Sequence, residues 1–237
     1  YELEGLPAIR AGAAQTVITP PTGNNMAGYY HPRIAEYVRD DLYCHALILE
    51  HQGERIALVS LDLIGAHADW VAKAKALIEQ RNGIAPERVL VCATHTHTGP
   101  RVRSGRDDVP NEWLDALPGK IADTVAAACE GMFNAVLMVG REDEDCLASN
   151  RLGRTPDGDE VFSSEGVIGH AGPVDPELQA IGVRDFDGNL RALVVNYGMH
   201  VDVIGGEGAT FISADWPGVM VETFPSNNGD EVVTMLL

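Results

Sequence analysis

Positive charge is scarce in this sequence: 17 Lys and Arg stand against 35 Asp and Glu, for a formal net charge of -18. Nucleic-acid partners draw their affinity from clustered Lys and Arg, so that class is argued against, and a strongly anionic membrane surface is disfavoured with it. The acid excess is read as a solubility device. No apolar run approaches the roughly 18 to 20 residues that a spanning helix needs, so no transmembrane segment is expected. The four cysteines, Cys44, Cys92, Cys129 and Cys146, form no CxxC pair, which removes a thiol zinc site and a dithiol redox motif. Three hydrolase and nucleotide signatures are also missing, namely the GxSxG elbow, the HExxH helix and the GxxxxGK[ST] loop.

What is present is an ordinary globular composition, 45% hydrophobic and 22% charged over 237 residues, long enough to bury a sizeable core as one continuous domain, 1–237. The chain begins at Tyr1 with neither Met nor a leader pattern, leaving a signal peptide open. Apolar runs predict strands over 43–50 and 55–63, joined by His51-Gln52-Gly53-Glu54. Trp70, Val71, Ala74, Leu77 and Ile78 share a helical face over 67–81, which Asn82-Gly83 stops. A strand over 88–93 follows, and strand–helix–strand implies a right-handed crossover. Helical spacing recurs over 111–130, where Pro118-Gly119 predicts a kink or two short helices. Further strands are expected over 135–141, 178–184 and 190–197, the last two linked by an Asp-Gly hairpin. The polar stretch 150–176 shows no periodicity and reads as a long covering loop. Residues 232–237 read as a buried strand, with sequence expected to continue past Leu237. The fold class predicted is α/β, a mixed sheet layered with helices, with a metal site at strand carboxyl ends.

The strongest local feature is Ala93-Thr94-His95-Thr96-His97-Thr98-Gly99-Pro100, at the end of an apolar strand. If the chain stays extended through His97, both imidazoles project to one side. Neutral imidazole suits zinc near pH 7; the alternative is one histidine hydrogen-bonded in the core and the other solvated. His200 follows a second apolar strand, and Asp62 ends a third. Asp62 could orient a histidine as an outer carboxylate, or simply cap its strand. His31, His51 and His67 lie in turn-like or helix-start contexts and read as solvated, His45 as a satisfied strand residue, and His170 as a loop residue able to approach the site. The metallo-β-lactamase HxHxDH pattern fails at Thr98 and Gly99, and in the amidohydrolase barrel HxH ends the first strand, whereas several strands precede it here.

Taken together, GAAQTVITP (12–20), MAGY (26–29), VSLDL (59–63), ATHTHTGP (93–100), NR (150–151), GPVDPEL (172–178), NYGMH (196–200) and ISADWPG (212–218) resemble the neutral ceramidase family. The segments keep the family's order and span nearly the whole chain. The resemblance implies Zn2+ held by His95 and His200, with His97 and Arg151 contacting the oxygen of the scissile amide, and a small-molecule or lipid amide cleaved by metal-activated water. It implies a secreted or periplasmic setting, and two further ligands, a glutamate and a tyrosine, from sequence beyond the strand matching 234–237. Arg101-Val102-Arg103 stands where the family has a Gly-rich continuation, placing bulk and positive charge near the entrance. Two alternatives stay open: action on a non-sphingolipid amide, ester or polar conjugate, and a truncated binding domain without catalysis.

Overall fold

The computed structural model describes residues 9–102, 110–162, 165–228 and 232–237. Strand β1 (Ile9–Val17) opens it, followed by the short β2 (Tyr37–Val38) and the hairpin of β3 (Tyr43–His51) and β4 (Glu54–Leu61). Its turn is Gln52-Gly53, at φ 53° and 82°, the paired positive values of a two-residue type I′ connection. Helix α1 (Ala68–Asn82) leads to β5 (Val89–Ala93), which pairs in parallel with β4. Helix α2 (Asn111–Glu130) and strand β6 (Phe133–Asp143) come next. Then follow β7 (Gly153–Arg154), β8 (Glu160–Val161) and β9 (Gly169–His170), the hairpin of β10 (Glu177–Asp185) and β11 (Leu190–Asn196), β12 (Phe211–Ile212), α3 (Trp216–Asn228) and β13 (Val233–Leu236).

Eight strands form one mixed sheet in the order β13-β11-β10-β6-β1-β3-β4-β5, parallel only at β4–β5 and β11–β13. The mixed α/β class read from the sequence is therefore the fold. One face of β3 and β4 (Cys44, Ala46, Ile48, Ala57, Val59 and Leu61) packs against Trp70, Ala74 and Ile78 of α1 and Leu117, Ile121 and Val125 of α2. The opposite face carries Ala11 and Leu47, which pack with Val183, Ala192, Val194 and Met235 from β10, β11 and β13. The far half of the sheet thus rolls over onto the near half, and the Ser60 hydroxyl on β4 donates to the Leu236 carbonyl on β13 at 2.5 Å. Small residues make the centre possible. A Cβ on Gly12 would overlap the Ala128 carbonyl, so the bare backbone of β1 lets α2 lie against it.

The structure differs from the sequence-based expectation in several places. Pro118 sits inside one uninterrupted helix, not between two. The lost hydrogen bond is outweighed by burial of Leu117, Ile121, Ala122, Val125 and Ala128 on the same face. The 150–176 stretch is not structureless, since β7 pairs with both β8 and β9. Besides the two-residue strands β2, β7, β8, β9 and β12, two longer elements were not anticipated: β1, whose Ala and Gly residues carry little strand preference, and α3, with Pro217 in its first turn and Pro225 inside it. Arg103 lies outside the described residues; Val102 beside it is fully buried.

Candidate metal centre

The chain does not stay extended through His97. Strand β5 ends at Ala93, and His95 has φ 72°, a left-handed conformation that costs a non-glycine residue about 1–2 kcal/mol. What holds the segment is its threonines. Thr96 and Thr98 are fully buried, and both hydroxyls donate to the Ser213 carbonyl, at 2.9 and 2.8 Å. Threonines inward leave the alternate histidines outward. The Nδ1 of His95 is fixed by the Ile64 carbonyl at 2.7 Å, the orienting contact a metal-binding imidazole makes through its other nitrogen.

His200 arrives from the loop after β11, four residues past the strand. In a flat sheet, the six steps separating β11 from β5 would span about 29 Å at about 4.8 Å each. The rings of His95 and His200 are instead 5.4 Å apart, His97 and His200 4.6 Å, and His95 and His97 5.0 Å. The rolled sheet closes that gap. One ring nitrogen from each of the three histidines lies within 4.8 Å of the others.

The electrostatics suit a cation. Burial pushes the His97 imidazole down to about 4, with His200, His95 and Arg151 adding to the effect and Asp202 opposing it. Burial also lowers His200, helped by Arg151 and His95. Both rings are therefore neutral at pH 7, the form that ligates. Among the described residues, neither nitrogen of His97 nor Nε2 of His200 has a hydrogen-bond partner, although all three are buried. Buried polar atoms left unmet are costly. Three converging rings, two of them with unmet nitrogens, fit a divalent ion of the imidazole-preferring kind.

Arg151 is exposed, in the loop between β6 and β7, near enough for its charge to depress both His97 and His200. Among the described residues it makes no ion pair, neither with the acidic run 142–145 nor elsewhere. Asp62 is not brought to the cluster. Its carboxylate accepts from the Tyr43 backbone N–H at 2.9 Å and lies 3.5 Å from Nε2 of His45, while the Ile64 carbonyl is what holds Nδ1 of His95. His45 is buried without a hydrogen bond to either ring nitrogen, so it is not the satisfied residue anticipated. The His170 Nδ1 is bonded to the Asn150 carbonyl, next to Arg151 but outside the cluster.

No family model matches the chain, and no curated protein sequence matches it. Solved structures do match in shape. The crystal structure of neutral ceramidase from Pseudomonas aeruginosa superposes with a TM-score of 0.77 at 18% identity, covering 97% of this chain and 38% of that one. A ceramidase complexed with C2 gives 0.76 at 18% identity, covering 97% and 37%. The fold is ceramidase-like. This chain thus spans less than two fifths of the length of the ceramidases it matches.

Around the histidines of this ceramidase-like fold stand residues that sequence reasoning passed over. Gly28, at φ 98°, lies so close that a Cβ there would sit 2.5 Å from Cγ and Nδ1 of His97. The Tyr29 hydroxyl reaches both oxygens of Asp202, at 3.0 and 2.8 Å, and Asp202 lies 3.4 Å from Nδ1 of His97. Buried Arg33 donates to the carbonyls of His97, Ala27 and Gly206 and stacks over the Tyr29 ring at 4.1 Å. Asp215, at φ 62°, accepts from the backbone N–H groups of Val203, Ile204 and Trp216. Gly28 and Tyr29 carried a signal as part of the MAGY segment and Asp215 as part of ISADWPG; Arg33 and Asp202 belong to no motif.

Proposed function

We propose that this chain carries the histidine part of a zinc-dependent hydrolase site that cleaves the carbon–nitrogen bond of an N-acyl compound, ceramide or a related amide. The observation that carries the reading is the meeting of His95, His97 and His200, with unmet ring nitrogens, in a ceramidase-like fold. Residues 1–237 act in it as one α/β domain. His95 and His200 hold the ion. When bound, zinc supplies Lewis acidity, polarising an acyl oxygen and acidifying water toward neutral pH. Arg151, without an ion-pair partner among the described residues and near enough to the rings to shift them, donates to the oxygen on which negative charge develops, a contribution worth about 3 kcal/mol per donor. His97 takes its place as a second group facing that oxygen. Asp62 supports the adjoining strand end through Tyr43, a more distant role than direct orientation of a ligand.

One observation favours a second assignment for His97. A carboxylate beside Nδ1 favours the tautomer with its proton on that nitrogen, and Asp202 stands there. That tautomer leaves Nε2 with a lone pair, able to ligate or to accept a proton but not to donate. Metal content separates the two. Measured by atomic absorption on purified protein, zinc occupancy falls in His95→Ala and His200→Ala, and in His97→Ala it is retained while hydrolysis of an N-acyl panel is lost. Equal zinc loss in all three makes His97 a third ligand. Sub-stoichiometric zinc in the wild-type protein, with no amide cleaved, overturns the hydrolase and leaves a binding domain.

A further inference from the structure

Two arginines, Arg151 near the histidines and Arg101 in an adjoining cleft, have no acidic partner among the described residues. Seven other described arginines are paired with Asp or Glu. Among the described residues Arg33, Arg39, Arg101, Arg151 and Arg184 have no such partner; Arg33 spends its donors on backbone carbonyls and Arg39 lies over the Phe211 ring, whereas the side chain of Arg101 makes one hydrogen bond, from Nη2 to the Tyr29 carbonyl at 3.3 Å. Asp202 is taken by the Tyr29 hydroxyl and faces His97. In a chain of net charge -18, two guanidinium groups without an acidic partner among the described residues are a local reversal of sign.

Arg101 also lines a cleft of about 500 Å³ with Gly28, Tyr29, Tyr30, Ile64 and His67, a volume within the roughly 300 to 1,000 Å³ of small-molecule sites. The cleft adjoins the histidines on two sides. Gly28 lies against the His97 ring, and the carbonyl of Ile64 holds His95. A guanidinium presents a planar fork of donors that matches carboxylate and phosphate oxygens two at a time.

Building on the hydrolase reading, we propose that the compound cleaved here bears a compact anionic group, a carboxylate or a phosphate ester, which Arg101 holds in this cleft while the amide lies between the histidines and Arg151. The site selects a small charged conjugate by this criterion, and a neutral two-chain lipid lacks the group that Arg101 is placed to bind. Arg151, on the reacting side, polarises the amide; Arg101, in the cleft, sets specificity.

Calorimetric binding to the zinc-loaded full-length protein tests this with three matched probes: N-butanoylglycine, N-butanoyl-2-aminoethyl phosphate and the neutral N-butanoylglycinamide. At least one anion binds about tenfold or more tightly than the neutral probe, the worth of a charge-assisted contact. In Arg101→Gln that preference disappears with zinc content unchanged, and in Arg101→Lys part of it remains. The tighter anion identifies the source. Equal binding of charged and neutral probes, no binding of either anion, or an anion preference that survives Arg101→Gln overturns the proposal. Turnover of the same probes and of N-butanoylsphingosine is read separately. Anion binding that depends on Arg101 with no probe cleaved removes the hydrolase and keeps the anion site, whereas cleavage of N-butanoylsphingosine without anion preference does the reverse.

Discussion

Replacing Gly28 by alanine isolates the support of His97. At φ 98° an L-residue pays a backbone strain of about 1–3 kcal/mol, which for a domain of this size lowers Tm by about 3–10 °C. The second effect is steric. The new Cβ would stand 2.5 Å from Cγ and Nδ1 of His97 and 2.6 Å from its Cβ, where carbon contacts begin near 3.5 Å, so the ring must retreat by about 1 Å. A displacement of that size at a reacting centre costs about 100-fold in rate. Gly23 supplies the control, with φ 89° and open space where its Cβ would go. Both variants should lose thermal stability in a calorimetric scan, Gly28→Ala the more because it also carries the clash, and both should keep their zinc; only Gly28→Ala should lose amide turnover and shift the His97 ring resonances in nitrogen NMR. If the two variants turn over substrate at the same rate, the contact between Gly28 and His97 does not position that ring, and the reasoning fails.

Other expectations follow from the same geometry. His97 falls from its ordinary 6.5 to about 4 on folding, so the unfolded chain binds the extra proton between those values; metal-free protein should be fully stabilised above pH 6.5 and lose up to about 3 kcal/mol by pH 4. Urea midpoints across that window should drop more steeply for wild type than for His97→Asn, and parallel curves would contradict the assignment. Asp215→Ala strands the N–H groups of Val203, Ile204 and Trp216, a loss of about 3 kcal/mol in urea unfolding, and should weaken zinc binding through the loop carrying His200. Gly12→Val should push α2 off β1 and cost about 3 kcal/mol, visible as reduced soluble yield and an earlier urea transition.

How far the sequence disclosed this molecule depended on whether a feature was local. Trp70, Ala74 and Ile78 fall on one face at helical spacing and Gly83 takes the left-handed C-terminal position, so α1 was legible to within a residue at each end. The β3–β4 and β10–β11 hairpins announced themselves by Gln52-Gly53 and by Asp187-Gly188. Strand β1 stayed hidden because its Ala and Gly residues were chosen for the approach of α2, a tertiary demand that overrides local preference. The convergence of His95 and His200 was anticipated, but for an incomplete reason. Strand alternation ends at Ala93, and the rings are aimed by the inward pull of Thr96 and Thr98 on Ser213 together with the left-handed turn at His95. Asp62 shows the limit most plainly: a carboxylate at a strand end looks alike in sequence whether it serves a histidine ligand or, as here, His45 and the Tyr43 N–H.

The rolled sheet has a further consequence. Since His95 follows a strand at one border of the sheet and His200 follows a strand next to the other, an ion shared by them would fasten the seam where the two halves meet. Its binding energy would then be felt by the whole molecule, about 4 kcal/mol at a thousandfold excess over the dissociation constant. Removal by a chelator would loosen that closure everywhere at once, so a clasp at the seam makes the reactive centre and the shape of the protein answer to the same equilibrium.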